Sequence, residues 1–378
     1  MTALREIEEK DLVPLADFLA GEFPFSVAKG FPYTTREFWL SLFELWWKNN
    51  PAYTNQFPRG WLLENDTSPV GFIGNIPVKF IISGETKIAA SANAWYVSSS
   101  IRGGFSLKLF NEFLKQKSPL FLFKIEDESF ISLLSRYKFN HYILPRSQKE
   151  YVYIINKKKV GFVFSEFLEI RRTTGLKEIV EIYKKFGFMI CAYLFQKSFG
   201  EGKNSDGGEY FSSVCSSCDD SFSRLWDPIV KSCDVSLSRD TDTLNWLYFS
   251  SSRFRKRVVI QCRRSADHSL AGYLVFDVQR LKETDEATLQ LMDMCTQDND
   301  PRVLASLLSC AIETGKQNGA SLLVVWGNNQ DTESYFRTNI TMRKAAQHHR
   351  FMKFSEKQEF NTGRENNRVC PSMIHPPQ

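Results

Sequence analysis

One order of secondary-structure elements is predicted twice along this chain: a hairpin, a third strand, a helix and a further strand. Short apolar runs between turn residues predict the strands, residues 288–294 also alternate between apolar and polar, and a helical spacing of apolar residues follows the third strand in each half. A helix between two strands is typical of a parallel crossover. We therefore predict an α/β fold with two similar domains, each a mixed, mostly antiparallel sheet flanked by helices. The predicted strands lie at residues 60–64, 70–78, 88–97 and 120–123, and then at 257–262, 271–276, 288–294 and 321–326.

The length of 378 residues suits two domains, since domains usually contain ~100–200 residues. We predict a first domain at 1–155, a second at 156–354 and a disordered tail at 355–378, because the tail is polar and has few large apolar residues. The apolar run at 186–195 is too short to cross a bilayer, which takes ~20 residues, and predicts a buried strand. The Gly-, Ser- and Asp-rich stretch at 200–220 predicts a surface loop.

Charge and cysteine usage limit the class of protein. The 48 basic and 43 acidic residues give a net charge of +5, which does not indicate a nucleic-acid partner and is compatible with a phosphorylated cofactor. The eight cysteines are irregularly spaced and no signal peptide precedes them, so we expect reduced thiols in the cytoplasm. Cys215 and Cys218 have the spacing of a zinc knuckle, but a second close pair is missing, and no metal site is predicted.

The segment that carries chemistry is the junction after the third strand. Val97 ends this strand, a polar loop with Gly103 and Gly104 follows, and a helix begins near Ser106. The first N–H groups of a helix have no partner within it, and the helix dipole adds positive charge there. The glycines let an anion approach the backbone, and Arg102 can add a charge. A pyrophosphate fits this junction, and an ordinary strand-to-helix turn is the alternative.

These features together resemble the GNAT (GCN5-related N-acetyltransferase) superfamily over residues 3–155. Val97 fits the family's strand end, Gly104 and Ser106 fill its small-residue positions, and Ile101 stands where Gln or Arg is usual. The resemblance implies acetyl-CoA or another acyl-CoA as co-substrate. It also implies that the strand end offers main-chain groups to the pantetheine arm and that the loop holds the pyrophosphate. The implied cofactor-binding residues are Trp95, Tyr96, Val97, Ile101, Arg102, Gly103, Gly104, Phe105 and Ser106.

The same resemblance implies direct attack of an amine on the thioester. In this family a Tyr on a later helix often protonates the thiolate. Tyr137 is the candidate here, although Leu134 occupies the family's usual place in one frame. The acceptor is expected to be a small-molecule or peptide amine, and the general base cannot be assigned from the sequence.

The corresponding junction of the second half has no glycine. It contains Asp298 and Asp300, which would repel a pyrophosphate, so the second domain is expected to be a degenerate copy. The predicted function is therefore that of an acyl-CoA-dependent N-acyltransferase, in its simplest form an N-acetyltransferase. Two alternatives stay open: an aminoacyl-tRNA-dependent peptide aminoacyltransferase of related tandem fold, and a non-catalytic binding module.

Overall fold

The computed structural model describes residues 2–23, 35–101, 103–125, 129–143, 149–156, 208–231, 234–252, 254–280, 287–327, 330–344 and 349–354. The chain divides into two compact units. Unit 1 comprises Met1–Ile143, Val230–Ser251 and His348–Gln378, and unit 2 comprises Leu144–Ile229 and Ser252–Gln347. The sequence predicts two consecutive domains, whereas these units are interleaved along the chain. Among the described helices, none is long and apolar enough to cross a membrane.

The described residues of unit 1 form an eight-stranded mixed sheet. Its strands are β1 (Thr2–Glu6), β2 (Gly60–Asn65), β3 (Ser68–Ile82), β4 (Glu85–Val97), β5 (Leu120–Ile125), β6 (Asn140–Ile143), β9 (Val235–Leu237) and β15 (His349–Phe354). Seven of them run in the order β1-β2-β3-β4-β5-β15-β6, and β9 pairs with β3 beside them. All pairings are antiparallel except that of β4 with β5.

The helices of unit 1 are α1 (Leu12–Glu22), α2 (Arg36–Phe43), α3 (Gly104–Lys115), α4 (Ser129–Arg136) and α6 (Thr241–Asn245). Two of them begin at a side-chain cap. Thr35 caps α2 by accepting a hydrogen bond from Phe38 N, and Asp240 caps α6 through Thr243 N. Each of these two helices continues into a wider π-helical turn, at Glu44–Lys48 and at Trp246–Ser250.

Helix α3 packs on the sheet of unit 1 through its apolar stripe. Leu109, Phe110 and Phe113 are fully buried and belong to one core cluster with residues of β2 to β5. The helical spacing in the sequence predicts a buried stripe of Leu107, Leu109, Phe110, Phe113 and Leu114. Leu114 is only partly buried against the cluster, and Leu107 is not buried. That side chain is 40% exposed, because it lies on the first turn of the helix, where the chain leaves the sheet.

In the part of unit 2 that the structure describes, the strands form a seven-stranded mixed sheet. Its strands are β7 (Lys149–Ile154), β8 (Tyr210–Cys215), β10 (Arg257–Arg264), β11 (Leu270–Arg280), β12 (Ala287–Thr296), β13 (Ala320–Val325) and β14 (Thr341–Lys344). They run in the order β14-β7-β13-β12-β11-β10-β8, in which β12 and β13 are parallel. The helices are α5 (Asp220–Val230), α7 (Pro301–Gln317) and α8 (Gln330–Asn339). The core lies between the sheet and α7, whose apolar residues are buried.

The prediction of a loop at 200–220 is wrong for Tyr210–Cys215, which pairs with β10 as an edge strand. The composition favours a loop there, but pairing with β10, which is remote in the sequence, holds these residues in a strand. The predicted strand at 186–195 and the predicted disordered tail at 355–378 lie outside the described residues.

The two sheets have matching strand orders. In unit 1, β4 lies between antiparallel β3 and parallel β5, and in unit 2, β12 lies between antiparallel β11 and parallel β13. The next position in each sheet is filled from a distant part of the chain. Strand β15, near the end of the sequence, lies between β5 and β6, and β7, from the middle of the sequence, lies between β13 and β14. The sequence prediction of two similar mixed sheets flanked by helices is therefore confirmed.

A glycine marks the same point in both sheets. Gly71 pairs with Val97 at the end of β4, and Gly272 pairs with Thr296 at the end of β12. An added Cβ would lie 2.9 Å from Leu63 at the first glycine and 2.9 Å from Val303 at the second. At Gly272 the close contact is with the following helix α7, which carries Val303, whereas at Gly71 it is with Leu63 of β2, and Leu109 of α3 lies 3.4 Å from the added Cβ.

Candidate functional site

The candidate site begins where β4 and β5 separate. Pairing between the described residues of these two strands is confined to Ala90 with Phe121 and Ser91 with Leu122. Beyond Ser91, β4 continues beside β3 as far as Val97, and β5 continues beside β15 as far as Ile125. Among the described residues the β4–β5 ladder therefore stops at Ser91, and we call the β5 side of β4 beyond this point, from Ala92 to Val97, the gap. The predicted pantetheine-binding residues 95–97 lie on the part of β4 that borders this gap.

A backbone irregularity lies in the same stretch of β4. Asn93 pairs with Gly74 and Tyr96 pairs with Phe72, so two residues of β4 stand opposite one residue of β3. Ala94, within this bulge, has a φ of +48°. A left-handed conformation is costly for alanine, and such strain is often found at functional sites. The bulge could not be predicted from the sequence, because an alanine in this conformation has no signature in the sequence.

The bulge keeps Trp95 and Tyr96 in different surroundings. Trp95 stacks on Phe110 of α3, with ring centroids 5.1 Å apart and planes 13° apart. The Tyr96 ring contacts Phe18 and Phe23, with centroids 5.9 and 5.8 Å away, at the helix α1 side. The two predicted site residues thus anchor β4 to a helix on each side.

The loop after β4 forms a short turn that ends at the N-terminus of α3. Ile101 N donates to Ser98 O over 3.1 Å, and Gly103 has a φ of +98°, which favours glycine. No side chain among the described residues caps the helix at Gly103. An added Cβ at Gly103 or Gly104 would meet no atom within 4 Å, so the space beside this helix end is open. The predicted residue Arg102 lies outside the described residues.

The first turns of α3 carry further residues near this helix end. Ser106 N donates to Gly103 O over 3.1 Å, which closes the first turn. The ammonium group of Lys108 lies 4.6 Å from the centroid of the Phe105 ring. A lysine near a helix N-terminus opposes the helix dipole and does not stabilise the helix. The predicted residues 103–106 therefore stand together at a positively polarised and open helix end.

Tyr137 follows α4 and lies beside α3. Its hydroxyl donates to Asn111 Oδ1 over 2.8 Å, and its ring meets Phe110 edge-on with centroids 4.8 Å apart. Phe110 in turn stacks on Trp95. The structure thus brings Tyr137 into the same aromatic cluster as the strand that borders the gap, but it shows the hydroxyl bound to an amide.

The corresponding helix end in unit 2 is closed by a carboxylate. Asp300 caps α7 by accepting a hydrogen bond from Arg302 N over 2.8 Å, and Tyr210 donates its hydroxyl to the same carboxylate over 3.1 Å. The guanidinium of Arg302 also binds Asp300, at 2.7 Å, and this contact is the main reason that the pKa of Asp300 is lowered to about 2. An ionised carboxylate therefore occupies the position where an anion could otherwise bind.

Comparisons with known proteins bear on the fold. No protein-family model matches the chain, and no curated protein sequence is significantly similar to it. Saccharomyces cerevisiae N-myristoyltransferase, solved with bound myristoyl-CoA and inhibitors, is similar in structure at 12% identity, covering 93% of this chain and 80% of its own, with a TM-score of 0.54.

Two bacterial structures are similar to the same degree. A GCN5-related N-acetyltransferase from Anabaena variabilis matches at 10% identity over 94% of this chain and 73% of its own, with a TM-score of 0.54. Another, from Kribbella flavida, matches at 10% identity over 94% and 71%, again with a TM-score of 0.54. At 10–12% sequence identity, the structural similarity is evidence of a shared fold. The chain has the GNAT fold, in a tandem arrangement of two mixed sheets.

Proposed function

We propose that this chain is an acyl-CoA-dependent N-acyltransferase and that unit 1 binds the acyl-CoA. The observation that carries the proposal is that the β4–β5 ladder stops at Ser91, and that β4 then continues to Val97 and is followed by the uncapped N-terminus of α3. A similar solved structure, that of N-myristoyltransferase, has bound myristoyl-CoA. A cleft in a sheet that ends at an uncapped helix N-terminus suits a ligand with an extended arm and a charged phosphate group.

In this proposal the pyrophosphate lies at residues 101–106 and accepts hydrogen bonds from backbone N–H groups. The pantetheine arm runs along Trp95, Tyr96 and Val97 like an added strand. The glycines at 103 and 104 leave room for the phosphates, since no atom lies within 4 Å of an added Cβ at either. This placement brings the thioester towards the point where β4 and β5 last pair, at Ser91.

The reaction we propose is direct transfer. The acceptor amine attacks the thioester carbonyl carbon, and the carbon–sulfur bond then breaks. The amine nitrogen loses a proton and the CoA thiolate gains one, so that the products are the amide and CoA. Tyr137 is our candidate for the thiolate's proton donor. Its phenol is held beside the cluster of Phe110 and Trp95, which borders the gap. We propose acetyl-CoA or a longer acyl-CoA as donor, a small-molecule or peptide amine as acceptor, and a cytoplasmic location.

Unit 2 is proposed to lack this cofactor site. The carboxylate of Asp300 already caps α7, and Asp298 adds a second negative charge in the same segment. A pyrophosphate would meet charges of its own sign there, which costs about 1 kcal/mol per pair at 4 Å even in water. The proposal is therefore a tandem protein with one working cofactor site and a degenerate second domain.

Calorimetry with acetyl-CoA, myristoyl-CoA and CoA tests the proposal. We expect at least one acyl-CoA to bind the folded chain, with the acyl length revealed by the ranking of affinities. A thiol-release assay against a panel of amines and peptides then identifies the acceptor. If no acyl-CoA binds the folded protein, the proposal is wrong, and the tRNA-dependent transferase and the non-catalytic module are the functions that are left.

A further inference from the structure

Asn93 is a buried amide with an unused hydrogen-bond donor. The residue is 8% exposed, and its Nδ2 has no hydrogen-bond partner among the described residues. Buried side-chain donors are nearly always satisfied in folded proteins, so each exception requires an explanation. Asn50 shows the usual situation in the same unit: its Nδ2 donates to Trp46 O and Pro77 O at 2.9 and 2.8 Å.

The position of Asn93 in β4 places it at the inner end of the gap. It lies two residues beyond Ser91, where β4 and β5 last pair, and directly before Ala94 of the bulge. Its partner on β3 is Gly74, so no side chain on that strand stands opposite its amide. The rise of a strand puts Asn93 about 13 Å from Val97, towards the inner end of the gap. A ligand whose phosphates lie beyond Val97 and whose arm follows β4 therefore has its far end near Asn93.

We infer that Asn93 Nδ2 donates a hydrogen bond to the thioester carbonyl oxygen of the bound acyl-CoA; this inference rests on the function proposed above. When the amine nitrogen bonds to the carbonyl carbon, the π electrons of the carbonyl move to its oxygen. When the carbon–sulfur bond breaks, they return and the thiolate leaves with the bonding pair. A fixed donor aimed at this oxygen stabilises the negative charge that develops, and removal of one such donor typically slows acyl transfer about 10²- to 10³-fold.

A structural role for Asn93 predicts different behaviour. A side chain that supports the fold loses hydrogen bonds when it is replaced by Leu, which has a similar volume. Asn93 Nδ2 has none to lose, so the free protein with Asn93→Leu should melt at the same temperature as the natural chain or higher, because an unsatisfied buried donor destabilises. Asn50→Leu is the matched control: it removes three hydrogen bonds from a buried amide and should lower the melting temperature.

The test uses the full chain and acetyl-CoA labelled with ¹³C at the carbonyl. Isotope-edited infrared spectroscopy measures the thioester carbonyl stretch, which falls in frequency when the oxygen accepts a hydrogen bond. We expect a lowered frequency for acetyl-CoA bound to the natural chain and a return to a higher frequency in Asn93→Leu. Calorimetry should show that Asn93→Leu weakens acetyl-CoA binding about 2- to 10-fold, the usual net value of one hydrogen bond, and leaves CoA binding unchanged.

Three results would overturn the inference. If acetyl-CoA binds with the same carbonyl frequency to both proteins, Asn93 does not contact the oxygen, and the proposed function stands without it. An equal loss of affinity for acetyl-CoA and for CoA would assign Asn93 to packing of the site as a whole. If no acyl-CoA binds the natural chain, both the inference and the function on which it rests are wrong.

Discussion

Tyr137 donates its hydroxyl hydrogen to Asn111 Oδ1 over 2.8 Å. The contact joins the turn after α4 to the exposed side of α3, and the ring of Tyr137 meets Phe110 edge-on. A phenol held in this way has a fixed position beside the aromatic cluster that borders the gap. To protonate a thiolate, the hydroxyl has to exchange its hydrogen bond with Asn111 for one with sulfur.

Tyr137→Phe tests this role. If Tyr137 is the proton donor, the variant should turn over more slowly by up to about 10²-fold, the lower end of what general acids contribute, since a thiolate is a good leaving group. The KM for acyl-CoA should not change. Steady-state kinetics of thiol release give both values. Asn111→Leu keeps the phenol and is the control; a rate loss as large in Asn111→Leu would show that the pair acts through structure.

Two substitutions at Gly104 separate the effect of a negative charge from the effect of side-chain volume at the proposed phosphate site. An added Cβ there meets no atom within 4 Å, so Gly104→Ala should fold and bind acyl-CoA nearly as the natural chain does. Gly104→Asp places a negative charge beside the phosphates and should abolish binding. Calorimetry compares the two variants. Unchanged affinity in a folded Gly104→Asp variant would remove residues 101–106 from the site.

We expect one acyl-CoA to bind per chain. The helix end in unit 1 has no side-chain cap among its described residues, whereas Asp300 caps the one in unit 2. Titration of the full chain gives the stoichiometry directly. Gly104→Asp should then leave no site at all, and a remaining site of undiminished affinity in that variant would place the acyl-CoA in unit 2.

Asp300 should make stability depend on pH in the acid range. Its pKa in the folded chain is about 2, below the value of about 3.9 for an unperturbed Asp, so folding favours the ionised form. Its stabilising effect is fully present above pH ~4 and is lost as the pH falls towards 2. Asp300→Ala should therefore be less stable by about 0.5–2 kcal/mol near neutral pH, because the cap is lost. Urea denaturation at several pH values measures the difference, which should shrink below pH ~4.

The last described strand should be essential for the proposed site, although it is far from it in sequence. Strand β15 pairs along the full length of β5, from Leu120 to Ile125. A chain that ends at residue 347 keeps the whole of 1–155 but leaves β5 with an open edge, and should lose thermal stability and acyl-CoA binding. A chain that ends at residue 354 is the control and should retain both. Normal binding in the shorter chain would show that the segment 1–155 forms the site by itself.

Much of the fold follows from local patterns in the sequence. The hairpins, α3 and α4 were predictable because their apolar residues repeat at the period of a strand or a helix over short distances. The placement of β7 and β15 was not, because each pairs with strands that are remote in the sequence, and no local period records a partner. The predicted boundary at 155 falls directly after β7, which belongs to the sheet of unit 2.

The candidate site was predictable in its glycines and less so in its side chains. Gly103 and Gly104 mark the loop in the sequence, and the positive φ of Gly103 favours glycine at that position. Asn93 and Ala94 carry no such mark. The unsatisfied Nδ2 of Asn93 and the left-handed backbone of Ala94 can be recognised only in the three-dimensional structure.

The position of β15 sets the order in which the protein can be completed during synthesis. The ribosome makes β5 and β6 early, but the strand that joins them in the sheet is made about 200 residues later, since β6 ends at Ile143 and β15 begins at His349. Domains generally fold as they emerge, first the N-terminal one. The sheet of unit 1 therefore stays incomplete, with one side of β5 unpaired, until all the described strands of unit 2 have left the ribosome. The sheet whose strands are made first is the last to be finished.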